Sequence, residues 1–149
     1  MASPSFMSIA LEEARAAGAR GEVPVGCVIV RDNKVITRAG NRTLIERDPT
    51  AHAELIAVRA AAALLGGERL TDCDLYVTLE PCAMCATAMS FARVRRLYFG
   101  AADAKGGAVE NGVRFFSAPT CHHRPEIYGG LNEAECATLL REFFQARRS

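Results

Sequence analysis

The 149-residue chain has no excess of charge of either sign: 18 Lys and Arg stand against 17 Asp and Glu, a formal +1. That is far from the basic balance of a protein that holds nucleic acid by its overall field, so any such role has to rest on local clusters. Long apolar runs are also missing. The Ala/Leu-rich stretch 51–65 carries His52, Glu54 and Arg59, which a bilayer span would not accommodate. The first twenty residues reach Glu12 and Glu13 before an apolar run develops, unlike a secretory signal. There is no internal repeat and no low-complexity segment, and the length suits one domain better than two. The resulting expectation is a single cytoplasmic domain over residues 1–149, with no membrane partner.

Six cysteines are present. In a reducing compartment disulfides are improbable, and a close pair turns toward metal or redox chemistry. Cys27, Cys73 and Cys136 read as small buried thiols. Cys82 and Cys85, in "TLEPCAMCATA", are the close pair.

Along the chain, Ser3-Pro4 is placed to cap and open a first helix with Met7, Ala10, Leu11 and Ala14 on its apolar face, ended by Gly18 and Gly21. "VPVGCVIV" and "KVITRAG" read as a hairpin turning at Arg31-Asp32-Asn33. A helix over 51–65 stops at Gly66-Gly67, followed by a strand over 75–79, a helix in "CATAMSFARV" and a strand over 95–100. Strands alternating with helices indicate an α/β layer structure whose later strands can run parallel. The segment 101–130 reads as a functional loop, with "PEIYGG" as a final short strand. Asn132 and Glu135 form an Asn variant of the capping box for a last helix, with Leu139, Leu140, Phe143 and Phe144 as its apolar stripe.

Pro81 puts Cys82 at a helix start, where Cys82 and Cys85 project from one face and the free amides favour thiolate. A redox pair would share that geometry. "DPTAHAEL" separates the two readings. With Thr50 as cap, His52 and Glu54 fall in the first turn of another helix, two apart and so straddling its tip, one as ligand and the other as nearby base. One imidazole and two thiolates leave a tetrahedral zinc with one open position, the catalytic arrangement. Zinc lowers the pKa of a bound water to about 7, and a carboxylate outside the coordination sphere can shuttle the proton. A closed structural zinc, taking a fourth ligand from Cys121, His122 or His123, is the alternative.

His-x-Glu followed by Pro-Cys-x-x-Cys is the signature of zinc nucleobase deaminases. The chain resembles the cytidine deaminase superfamily, and more closely the bacterial tRNA-specific adenosine deaminases that make wobble inosine, through "EVPVGCVIV", "GNR", "DPTAHAE", "LYVTLEPCAMCA", "FGAADAKGGA", "HRPEI" and "EFFQARR". The resemblance implies a three-layer α/β/α fold with a central mixed five-stranded sheet. It implies one Zn2+ per subunit on His52, Cys82 and Cys85, with Glu54 as proton shuttle. It implies substrate contacts from Asn41, Ala53, Pro81, Asp103, Lys105, Phe143, Phe144, Arg147 and Arg148. It implies a homodimer acting on the anticodon stem-loop of tRNA.

Each residue also has a plainer reading. Asn41 could sit in a turn after Gly40, Asp103 could cap its own loop, and Phe143 and Phe144 could belong to the core. Arg147 and Arg148 could complement a helix C-terminus. Arg93, Arg95 and Arg96, with Arg114, Arg124, Arg141, Arg147 and Arg148, could build a basic rim. Three functions follow: adenosine-to-inosine deamination in tRNA, deamination of a free base or nucleoside such as guanine or cytosine, and a zinc-stabilised binding module.

Overall fold

The computed structural model describes residues 5–148. The first helix, α1 (Phe6–Ala19), is capped by Ser5, whose hydroxyl accepts the Ser8 amide at 3.1 Å. The cap thus falls on Ser5 instead of Ser3-Pro4, which lies outside the described residues. Strands β1 (Gly26–Arg31) and β2 (Lys34–Gly40) form the hairpin, with Asp32 and Asn33 both at positive φ as a two-residue turn requires. Then come α2 (Ala53–Leu65), β3 (Cys73–Leu79), α3 (Ala83–Ala92), β4 (Arg96–Ala101), a short 3-10 turn (Phe115–Ser117), β5 (Glu126–Tyr128) and α4 (Glu133–Arg148).

The five strands form one sheet in the order β2-β1-β3-β4-β5. β1 is antiparallel to β2 and β3, while β3, β4 and β5 run parallel. Alanines at 53, 57 and 61 keep one face of α2 small, so it packs with Met89 of α3 against Ile29, Leu75, Val77, Leu97 and Phe99. On the opposite face Met7, Ala10 and Leu11 of α1 and Cys136 of α4 cover Val28, Val30 and Ala101. This is the expected three-layer α/β/α arrangement with a mixed sheet. At Gly26 α1 crosses β1 so closely that a Cβ would collide with the Ala10 carbonyl and stand 2.5 Å from the Ala14 nitrogen.

Cys27, Cys73 and Cys136 are buried free thiols, as the sequence suggested. Two caps differ from expectation. Thr50 bonds to Asp48 through its amide (2.8 Å) and hydroxyl (2.7 Å), leaving His52 at the N-cap position of α2. Asn132 has φ 53, and its side-chain amide donates to the Glu135 carboxylate at 3.2 Å, a contact between side chains.

A metal centre at two helix tips

Parallel strands deliver their helices to the same sheet end, and the functional side chains collect there. β3 leaves the sheet at Leu79 and passes through Glu80-Pro81 to Cys82, the N-cap of α3. β2 leads through Asn41 and a loop to His52, the N-cap of α2. Neither cap residue uses its side chain for capping, so the imidazole and the thiol stay available. Asn41 supplies part of the missing cap: its Oδ1 accepts the Ala53 N–H at 2.8 Å while its Nδ2 donates to the Val23 carbonyl at 3.2 Å. It thereby ties the β2 exit to the α2 tip.

His52 Nδ1 lies 3.7 Å from Cys82 Sγ and 3.5 Å from Cys85 Sγ, and the three ligand atoms all fall within 4.8 Å of one another. Zinc–sulfur bonds of about 2.3 Å and zinc–nitrogen bonds of about 2.0–2.1 Å subtend a tetrahedral edge of about 3.6 Å, so the spacing fits zinc. The proton balance fits as well. The Cys85 contact, against burial and helped by His52, lowers the Cys82 thiol to about 4. The same contact, with burial, pushes Cys85 up. Two thiols share one proton, and a soft cation is what ionises both.

Glu54 is 4 % exposed and stands in the first turn of α2, on the cavity side. Burial is the largest influence and pushes its carboxyl up to about 7, against the lowering by its own backbone amide and by His52. A cavity of about 310 Å³ is bounded by Asn41, Thr43, His52, Glu54, Cys82 and Asp103. It shares Val23, Leu79, Asp103 and Gly106 with an adjoining groove of about 770 Å³ that extends to Lys105, Leu140 and Phe144. Ala53 and Pro81 are buried beside the ligands and act through backbone: Ala53 donates to Asn41, and the Pro81 carbonyl accepts the Ala108 amide at 2.9 Å.

Several expectations change here. Phe143 is half-buried and Phe144 is 45 % exposed, so neither belongs to the core. The Arg147 guanidinium lies 3.4 Å over the Phe143 ring. The Arg148 side chain lies outside the described residues. Arg95 and Arg96 do not rim the site. Arg95 precedes β4 and Arg96 starts it, and the pairing runs from Asp74↔Arg96 at one end to Leu79↔Ala101 at the other, about 17 Å away at about 3.3 Å per residue. Arg95 is bidentate on Asp74 (2.9 and 3.0 Å), and Arg96 bonds to Glu126 at 3.0 Å. Arg93 is the left-handed C-cap of α3. Cys121 and His123 are engaged elsewhere: Cys121 donates to the His123 carbonyl and His123 Nε2 donates to the Val94 carbonyl at 2.7 Å. Among the described residues the ligand group is His52, Cys82 and Cys85, which removes the fourth ligand a closed structural site needs.

Asp103 does what its plainer reading said, since Oδ1 accepts the Lys105 and Gly106 amides at 3.0 and 2.9 Å. Two buried carboxylates beside the site have no counterpart among the expected residues. Glu80 is 2 % exposed and accepts the amides of Asp103, Val109, Glu110 and Asn111 and the Asn111 side-chain amide, at 2.7 to 3.0 Å. Glu22 is 1 % exposed and accepts from Thr43 Oγ1 and the amides of Leu44 and Ile45 at 3.3, 3.1 and 3.0 Å. The available signal was a single carboxylate set among apolar residues and proline, in "EVPV" and "TLEPC".

Comparison with known proteins agrees with this geometry. The zinc-binding region of cytidine and deoxycytidylate deaminases matches residues 2–101. A tRNA-specific adenosine deaminase of Agrobacterium fabrum is 63% identical over 143 residues, covering 96% of this chain and 94% of the relative. A solved structure from work on A-to-I editing by tRNA:A34 deaminases superposes with a TM-score of 0.89 at 64% identity, covering 91% of this chain and 98% of that one. The guanine deaminase of Nitrosomonas europaea gives a TM-score of 0.76 at 25% identity, covering 96% and 85%. With its metal ligands set at two helix tips and these similarities running along nearly its whole length, the chain belongs to the zinc-dependent cytidine and deoxycytidylate deaminase family, among the tRNA-specific adenosine deaminases.

Proposed function

We infer that the protein deaminates adenosine to inosine hydrolytically at the wobble position of tRNA, as a single cytoplasmic domain with one zinc per subunit of a homodimer. The observation that carries this reading is Glu54, buried beside the His52–Cys82–Cys85 group and lining the same cavity as His52 and Cys82. The 63% identity to a tRNA-specific adenosine deaminase supports the substrate.

His52, Cys82 and Cys85 hold the zinc, which when bound supplies a Lewis acid that brings water to a pKa of about 7. Glu54 takes a proton from the attacking water and delivers it to the ring nitrogen beside the amine-bearing carbon. As the carbon–nitrogen bond breaks, Glu54 passes on the second proton and the amine leaves as ammonia. Asn41 has one Nδ2 hydrogen beyond its Val23 bond to offer the base edge. A wobble base is unpaired in its loop, so drawing it into the cavity costs less than extracting it from a duplex. Asp103, Lys105 and Phe144 line the groove that the rest of the loop would follow, and the Arg147–Phe143 pair sits on the same helix as Phe144.

Inosine formation on an anticodon stem-loop with wobble adenosine, beside free adenosine, guanine and cytosine, tests the substrate. Inosine in the stem-loop alone is the expected result; turnover of guanine with an untouched stem-loop would replace this reading by that of a free-base deaminase. Glu54→Gln should lose at least about 100-fold in kcat, the usual size of a general acid–base contribution, while metal analysis finds zinc retained.

A further inference from the structure

We propose that Glu22 is a positioning residue for the RNA: its carboxylate fixes residues 43–45 so that Leu44 and Ile45 stand at the cavity mouth as an apolar seat for bases neighbouring the reacting adenosine. The proposal rests on the RNA reading above. Glu22 lies in the α1–β1 connection and is 1 % exposed. Its Oε1 takes the Leu44 amide and the Thr43 hydroxyl, and its Oε2 takes the Ile45 amide, so two successive amides point inward at one carboxylate. Their side chains consequently point out. Leu44 is 68% exposed and Ile45 57% exposed, directly after Thr43, which lines the reaction cavity. Two large aliphatic side chains side by side in water, on a backbone held by a buried ion, are an arrangement that folding alone does not reward.

The surroundings match a nucleotide. Arg42 and Arg47 bracket the apolar pair, Arg47 exposed and Arg42 in a loose 3.7 Å contact with Glu46. Cations on either side of an apolar seat suit phosphates on either side of a base. The same connection reaches the reacting centre by another route. Val23, next to Glu22, lines the cavity and gives its carbonyl to Asn41, whose oxygen holds the Ala53 amide between His52 and Glu54. Glu22 touches no reacting atom and acts through the segment it orders.

Steady-state kinetics of the zinc enzyme on the wobble-adenosine stem-loop test this, with zinc content and association state measured alongside. Leu44→Ala/Ile45→Ala, which removes only exposed groups, should raise KM about tenfold, the size of one lost base contact, with kcat, zinc and association state unchanged. Glu22→Gln should raise KM similarly, and the triple variant no further, because both changes remove one interaction. An unchanged KM in the Leu44/Ile45 variant overturns the proposal, as does an altered association state with KM intact. A fall in kcat and zinc content at constant KM in Glu22→Gln would reduce Glu22 to a structural group. If the wild-type enzyme leaves the stem-loop untouched, the RNA reading falls first and this proposal with it.

Discussion

The two loops that flank the reaction cavity are held by the same device and put to opposite uses. Glu80 gathers the amides of 103 and 109–111, and the loop it gathers turns inward: Ala108 and Val109 are 2% and 6% exposed. Glu22 gathers the amides of 44 and 45, and its loop turns outward, with Leu44 and Ile45 in water. A buried carboxylate replaces the missing strand or helix partner in both places, since a loop amide without an acceptor is costly wherever water is excluded. What differs is the direction of the side chains. One loop has become part of the core beside the metal ligands, whereas the other holds its side chains at the surface. A satisfied backbone and buried side chains are therefore separable properties of a loop beside the cavity.

If the Glu80 loop is core, removing its acceptor should be the most damaging change. Glu80→Ala strands four backbone amides and one side-chain amide. At about 1–3 kcal/mol for each buried group left unpaired, less what relaxation and entering water recover, the loss should reach about 3–5 kcal/mol. Urea unfolding measures it, and amide exchange should localise the loosening to 103–111. A loss below about 1 kcal/mol would mean that water replaces the carboxylate freely and that the loop was never core.

Next in size is the tolerance of the same loop for volume. At Gly107 a Cβ would stand 2.5 Å from the Asp103 carbonyl and 2.6 Å from a Glu80 oxygen. Gly107→Ala should therefore cost about 1–3 kcal/mol through overpacking, again read by urea unfolding. A neutral outcome would show that the loop gives way, making the two walls more alike than their burial suggests.

Much of this was legible in the sequence, for identifiable reasons. The hairpin, the helices and the parallel strands follow from periodicity and from Gly-rich stops, and even the three-residue β5 was signalled by "PEIYGG". The ligand triad was legible because metal chemistry restricts residue types and spacing so tightly. Three features were not. The arginines of β4 looked like a rim because sequence records their clustering but not the sheet end they occupy; Asp74 and Glu126 neutralise them at the other one. Phe143 and Phe144 followed a helical stripe, but α4 packs through Cys136 and Leu139 near its start and leaves its last turns toward the groove. Glu22 and Glu80 look like ordinary surface charges until the backbone amides around them are counted.

The smallest effect separates the two carboxylates by charge and not by contact. Glu22→Gln keeps the side-chain length and one oxygen but turns an NH2 toward a loop amide, and should cost about 1–2 kcal/mol near neutrality. Part of that difference depends on pH. Burial raises the Glu22 carboxyl, but the hydrogen bonds from Ile45, Leu44 and Thr43, with the nearby Arg20, outweigh it and leave the group below its ordinary value of 4.5. A carboxyl depressed on folding stabilises the native state at pH values above 4.5, and that contribution disappears as pH falls through the folded value. The stability gap between wild type and Glu22→Gln should accordingly stay constant from neutrality down to about pH 5 and narrow below about pH 4.5. Paired unfolding curves between about pH 6 and about pH 3 measure the gap directly. Because protonation of the zinc ligands is common to both proteins, it cancels. A gap that widens toward acid would reverse the sign and mean that the loop is held by a neutral carboxyl donating a proton, which would leave the Leu44 and Ile45 amides without the anion that turns their side chains outward.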